Sequence, residues 1–238
     1  MRTLIAATTA FTWLPMIAEA SEKRFFADAA VSSSLIDRGE QIGPLTLETA
    51  IGAETEVGGA TLYGAFYRLT PVGADADAFV DEADYTVGAA WEGQGYTADV
   101  SATWLTFPGE GEQASLELAG SVGIDAPLMP SLTGFYDAEF EDWGLELAAG
   151  PVWEIEAWEV YALARAGFVR PGDGSASRSY GGVEAGAARP VSEGVVIGFY
   201  ARAELADEES FARSIDGGVV TASRSSGYAA GVSLSLSR

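Results

Sequence analysis

Cysteine, histidine and asparagine are absent from this 238-residue chain, and lysine occurs once, at Lys23. Without cysteine there is no disulfide framework and no thiolate metal site. Without histidine there is no Ser-His or Cys-His nucleophile pair, no imidazole ligand and no ordinary general base. A Ser-Lys dyad could draw only on Lys23. Bases are scarce as a class: 13 Lys and Arg stand against 35 Asp and Glu, a net charge of −22. That balance disfavours nucleic acid as a partner, because phosphate binding needs Lys and Arg. Long apolar runs are missing too. After residue 20 no segment reaches the roughly eighteen consecutive apolar residues of a membrane helix, although 48% of the chain is hydrophobic.

What is present starts with residues 1–20. Arg2 supplies a positive start, Leu4 to Ile17 form an uncharged apolar stretch, and Ala18-Glu19-Ala20 is a small-residue cleavage pattern. This is the layout of a secretory signal peptide, too short to span a membrane. The expectation is cleavage after Ala20, leaving 21–238 as a single domain. Removal takes away Arg2 and Glu19, one base and one acid, so the charge stays at −22.

Beyond the leader, apolar and polar residues alternate in blocks of about ten, the period of a strand with two unlike faces. Leu45, Leu47, Thr49, Ile51 and Ala53 oppose Thr46, Glu48, Ala50, Gly52 and Glu54. Tyr96, Ala98, Val100, Ala102 and Trp104 oppose Thr97, Asp99, Ser101 and Thr103, and Tyr228 to Leu236 repeats the pattern against Gly and Ser. Propagating this rhythm predicts strands at 25–36, 45–57, 60–70, 84–92, 95–107, 114–123, 131–141, 144–154, 158–169, 179–189, 194–205 and 224–237. Gly58-Gly59, Glu92-Gly93-Gln94-Gly95 and Pro190-Val191-Ser192-Glu193 are turn signals, and with no asparagine the special turn conformations fall to Gly and Asp. Most of the longer connections lie on one side, 142–143 being the exception. The predicted fold is all-β, a closed antiparallel up-and-down transmembrane barrel of about twelve strands, with short turns in the periplasm and longer loops outside. A soluble sandwich or lipocalin-like barrel also alternates. Here, however, the second face is crowded with Gly, Ala, Ser and Glu, while Trp91, Tyr96, Trp104, Trp153 and Trp158 gather near strand ends like the aromatic girdles of a membrane barrel.

The segment Val31-Ser32-Ser33-Ser34-Leu35-Ile36-Asp37-Arg38-Gly39, followed by Pro44 and by Tyr63-Gly64-Ala65-Phe66, resembles the opening of the TorF-type porins. In these small outer-membrane barrels a Ser-rich first strand runs into an aromatic-x-Arg-Gly turn. Leu35, Ile36 and Asp37 stand where that family usually has aromatics, and the chain ends in Arg238 instead of an aromatic residue. The resemblance implies a channel and carries no catalytic residues.

On this register the lumen receives Asp28, Glu48, Glu54, Glu56, Asp84, Asp99, Glu117, Asp137, Glu139, Glu146, Glu154, Glu159, Glu184 and Glu204 against Arg68, Arg165 and Arg202. The residues expected to define it are Glu48, Glu54, Arg68, Asp99, Glu117, Asp137, Glu146, Arg165, Glu184 and Arg202. An acidic low-dielectric passage concentrates cations, so passive diffusion of small hydrophilic, preferentially cationic solutes is the leading expectation. The inward glycines 52, 64, 88, 150, 182, 186, 198 and 231 would leave it room. Against this stands a plugged barrel, its charges paired internally and its outer loops serving adhesion or envelope integrity. Asp75, Asp77, Asp81, Glu82 and Asp84 form an acidic outer-loop cluster without the ordering of a Ca²⁺ loop. Carboxylate pairs such as Asp137/Glu139 form no further site, so neither enzyme activity nor a cofactor is expected. The expected surroundings are outer-membrane lipid and lipopolysaccharide, and the small-residue patch Gly181, Val183, Ala185, Ala187 is a candidate face for a homo-oligomer.

Overall fold

A strand with an apolar and a polar face is stable in a membrane only if every backbone group is paired and the sheet has no edge. The computed structural model, which describes residues 23–108 and 114–238 with the short backbone pair Ile5–Ala6 and Thr12–Trp13, meets that requirement by closing a single antiparallel sheet on itself. Most of the expected leader therefore lies outside the described residues.

The barrel has twelve strands: β1 Arg24–Ser32, β2 Thr46–Val57, β3 Ala60–Pro71, β4 Glu82–Gly93, β5 Tyr96–Thr106, β6 Ala114–Ile124, β7 Ser131–Asp137, β8 Trp143–Ala149 continued as Val152–Ile155, β9 Trp158–Arg170, β10 Arg178–Ser192, β11 Val195–Ala206 and β12 Ser226–Ser237. Each pairs with the next, and β12 closes the sheet on β1 from Gly231↔Ser32 to Ser237↔Phe26. Gly150-Pro151 interrupts β8, and both halves pair with β9.

Alternation sorts the side chains. Leu47, Ile51, Val87, Val100, Leu118, Val122, Leu132, Leu147, Val183 and Leu234 are exposed on the outer surface. Trp104, Tyr136, Trp143 and Tyr228 stand near the ends of their strands on one side of this band, and Trp91, Tyr96 and Trp153 near the ends on the other. These are two aromatic belts around an apolar waist, the surface of a membrane barrel.

Three departures from the expected strands have local causes. The seventh strand ends at Asp137 instead of 141, because the Asp137 carboxylate accepts the backbone N–H groups of Glu139 and Phe140 and closes a turn over 138–142. Glu139 therefore sits in that turn and not on the wall. The first strand ends at Ser32 instead of 36; the chain then turns back as a hairpin, Leu35–Asp37 paired with Glu40–Gly43. The last long loop, between β11 and β12, carries a second hairpin, Phe211–Asp216 with Val219–Arg224.

Candidate functional site

The inner wall is built from one recurring pair: an inward aromatic ring directly opposite a glycine on the neighbouring strand. Phe26 faces Gly52, Tyr63 faces Gly88, Phe135 faces Gly144, Tyr180 faces Gly167, Tyr161 faces Gly186 and Tyr200 faces Gly231. A Cβ added at these glycines would stand 2.1–2.6 Å from the opposing ring. The rings lie flat over the space a side chain would take, as aromatic residues cover glycine in sheets. The expectation that Gly52, Gly88, Gly186 and Gly231 leave room for solute is thus corrected, since rings fill that room. Gly64 is corrected differently: it shares the outer face with Leu62 and Phe66.

Lying flat aims the tyrosine hydroxyls along the wall at its acids. Tyr63 donates to Asp99 at 3.0 Å, Tyr67 to Glu48 at 3.0 Å, Tyr161 to Glu184 at 2.8 Å and Tyr180 to Glu146 at 3.0 Å. Ser32 also donates to Glu48 and receives the Tyr200 hydroxyl. Glu54 pairs with Arg24 at 2.5 Å, and Arg165 bridges Glu184 at 3.1 Å and Glu146 at 3.8 Å. Arg202 binds Glu204 through two nitrogens, at 2.5 and 2.8 Å. Asp137 takes the Ser115 hydroxyl besides its turn amides.

Of the ten residues expected to define the lumen, Arg68 is misplaced. It stands opposite Thr49 on the face of Leu62 and Phe66, and its guanidinium reaches out to Asp81. Tyr67, whose hydroxyl donates to Glu48, takes the inner position instead, so the expected inward register of β3 is corrected by one residue. The acidic outer-loop cluster is also divided: Asp81 belongs to Arg68, while Glu82 and Asp84 open β4 and face Leu69 and Tyr67 across the ladder. Among the described residues no three acids converge as a metal site.

The feature sequence reasoning missed is the long loop after β1, whose hairpin folds into the bore. Leu35 packs against Ala30, Ala50, Tyr67 and Leu69, and Ile36 against Phe211 and Ala229. Both are almost fully buried, at 2% and 1% exposure. At the tip, Arg38 crosses to β6 and grips Glu117 as a fork, at 2.5 and 2.9 Å, with its guanidinium 3.6 Å above the Phe135 ring. The Gly39 N–H donates to Glu204 at 2.6 Å, Arg202 donates to the Ile36 carbonyl at 3.0 Å, and Arg178 donates to the Arg38 carbonyl at 3.1 Å and pairs with Glu40. The last loop clasps the hairpin from outside: Ser210 donates to the Gly39 carbonyl and Gln41 exchanges bonds with Ser210 and Ala212. Asp37 lies half-buried here. Burial raises its carboxyl to about 7; Arg38 and Arg202 oppose the rise, while Glu117 and Glu146 add to it. The one sequence signal was Leu35-Ile36 breaking the alternation within a polar stretch.

No protein-family model matches the chain, nor does any curated protein, so the TorF-type likeness has no support from either. Solved structures do match in shape. The NanC porin aligns at 7% identity with a TM-score of 0.54, covering 89% of this chain and 98% of its own. An outer membrane channel from Pseudomonas putida F1 aligns at 7% identity and TM-score 0.53, covering 93% and 97%. LpxR from Salmonella typhimurium aligns at 9% identity and TM-score 0.51, covering 90% and 99%. At such identities the likeness concerns architecture, and what it establishes is that this chain has the fold of the outer-membrane β-barrels.

Proposed function

We propose that the protein is a porin-like outer-membrane channel, narrowed by its first loop, that passes small hydrophilic solutes and favours cations. The observation that carries this reading is the uneven pairing of inner charges. Arg24, Arg38, Arg165, Arg178 and Arg202 each lie in an ion pair. Glu48 and Asp99, by contrast, are held by neutral hydroxyls. Asp28 and Asp84 each keep one buried carboxylate oxygen, and Arg38 and Arg165 each a buried Nε, without a hydrogen-bond partner. Acids outnumber bases among the inward residues, and wherever they are ionised a low-dielectric wall focuses their charge on whatever enters. Single-channel recording in a salt gradient tests the reading: cation-selective conductance supports it, and anion selectivity or a silent barrel removes it.

A second reading is favoured by the same hairpin. Because it is anchored to β1, β6, β11 and the last loop, it would close the bore in a barrel that acts through its outer loops. Deleting 35–43 separates the two: conductance that appears only after the deletion belongs to the closed barrel.

A further inference from the structure

The turn that carries Arg38 is made of two residues, Arg38 and Gly39, with φ of +46° and +81°. Two-residue hairpin turns of this left-handed kind favour Asn, Asp or Gly at both places, and a bulky side chain there is disfavoured. Turn geometry therefore does not explain an arginine at this position. What the guanidinium touches does. Its fork meets both oxygens of Glu117, its flat face covers Phe135, and its Nε lies 3.5 Å from Asp37. Bidentate carboxylate, aromatic face and flanking acid are the three contacts that suit a guanidinium.

The walls and the occupant of this box have different origins. Glu117 is fixed on β6 and Phe135 on β7, where the ring lies flat over Gly144 and so turns its other face to the bore. Only Asp37 and the occupant come from the loop. Withdrawing the hairpin would leave the carboxylate and the ring in place on the wall of the barrel, facing a passing solute.

We propose that Glu117 and Phe135 form a binding site for a solute bearing a guanidinium group, and that Arg38 occupies it as a tethered stand-in until such a solute competes it away. The inference rests on the channel reading for the route by which the solute reaches the bore. The docked hairpin holds Arg38 in the box at a high effective concentration, so free guanidinium compounds compete for it only weakly in the wild type. Removing Arg38 tightens their binding by about the factor the tether imposed.

Calorimetry with agmatine, and with the diamine putrescine as a cation lacking the fork, tests this on the full-length barrel in detergent. Heat-modifiable migration on gels reports folding. Arg38→Gln is expected to bind agmatine about tenfold more tightly than wild type, with putrescine weaker than agmatine. Adding Glu117→Gln abolishes the gain, and adding Phe135→Leu, which keeps most of the bulk, reduces it. Equal agmatine binding by wild type and Arg38→Gln, or an unchanged gain in the Glu117→Gln double variant, overturns the proposal. Potassium conductance of the same preparations judges the channel reading separately. A silent barrel that still binds agmatine in this pattern removes the channel and keeps the site, whereas a conducting barrel without the pattern does the reverse.

Discussion

Phe211→Ala is the perturbation that most cleanly loosens the first loop without touching a charge. The ring is fully buried, at 0% exposure, and packs on Ile36 and Ala229 between the last loop and the inserted hairpin. Truncating a buried phenylalanine costs about 3–5 kcal/mol. Most of that cost falls on the docked state of the hairpin, because the barrel ladder does not depend on the ring. At 1.36 kcal/mol per decade the undocked population rises roughly a hundredfold to several-thousandfold. The absence of native cysteine makes this measurable. Ser34 sits at the root of the hairpin, 9% exposed and donating to the Gly43 carbonyl, so Ser34→Cys gives a single thiol that reacts with a maleimide only when the hairpin lifts. The labelling rate is expected to increase by the same factor in the Phe211→Ala background, and potassium conductance to rise with it. A labelling rate unchanged within about twofold, in a barrel still heat-modifiable on gels, would refute the clasp, since so small a change is under 0.5 kcal/mol.

Two further predictions concern the lumen. Asp37 titrates near 7, above its ordinary 3.8. Burial disfavours its charged form, so docking of the hairpin is strongest below about pH 4 and weakens as pH rises towards 7. The change is on the order of 2–4 kcal/mol. Ser34→Cys labelling should accelerate across that window, and Asp37→Asn should flatten the profile; a flat wild-type profile contradicts the assignment. Among the glycines, Gly88→Ala and Gly186→Ala push methyls into Tyr63 and Tyr161 and should lower stability by about 1–3 kcal/mol. Gly64→Ala, whose nearest neighbour atom is at 3.8 Å, should change it by less than about 0.5 kcal/mol. Denaturant midpoints of barrels refolded into lipid vesicles compare the three.

The barrel was legible because two-residue alternation is a local property. Leu47 against Glu48 and Val100 against Asp99 declare their faces without knowledge of any other strand. The inner wall was legible only in part, because its organisation is set across strands. That Tyr63 covers Gly88, or that Phe135 covers Gly144, follows from pairing register, which neither strand contains alone. Arg68 shows the limit: on β3 the polar residues Tyr67 and Arg68 are adjacent, and only the hydroxyl partner Glu48 on β2 decides which of them turns inward. The inserted hairpin was least legible. Leu35 and Ile36 break the alternation of β1, but the groups that hold the hairpin, Phe211 on Ile36 and Glu204 on Gly39, lie some 170 residues away in the chain.

The central claim, that surplus carboxylates make the bore a cation path, is tested most directly by the reversal potential of single channels in a tenfold KCl gradient at neutral pH. The charge pattern predicts a potential of the sign set by potassium, moving towards zero when Glu48 and Asp99 are both changed to their amides. A potential of the sign set by chloride, or one indifferent to those two carboxylates, contradicts it.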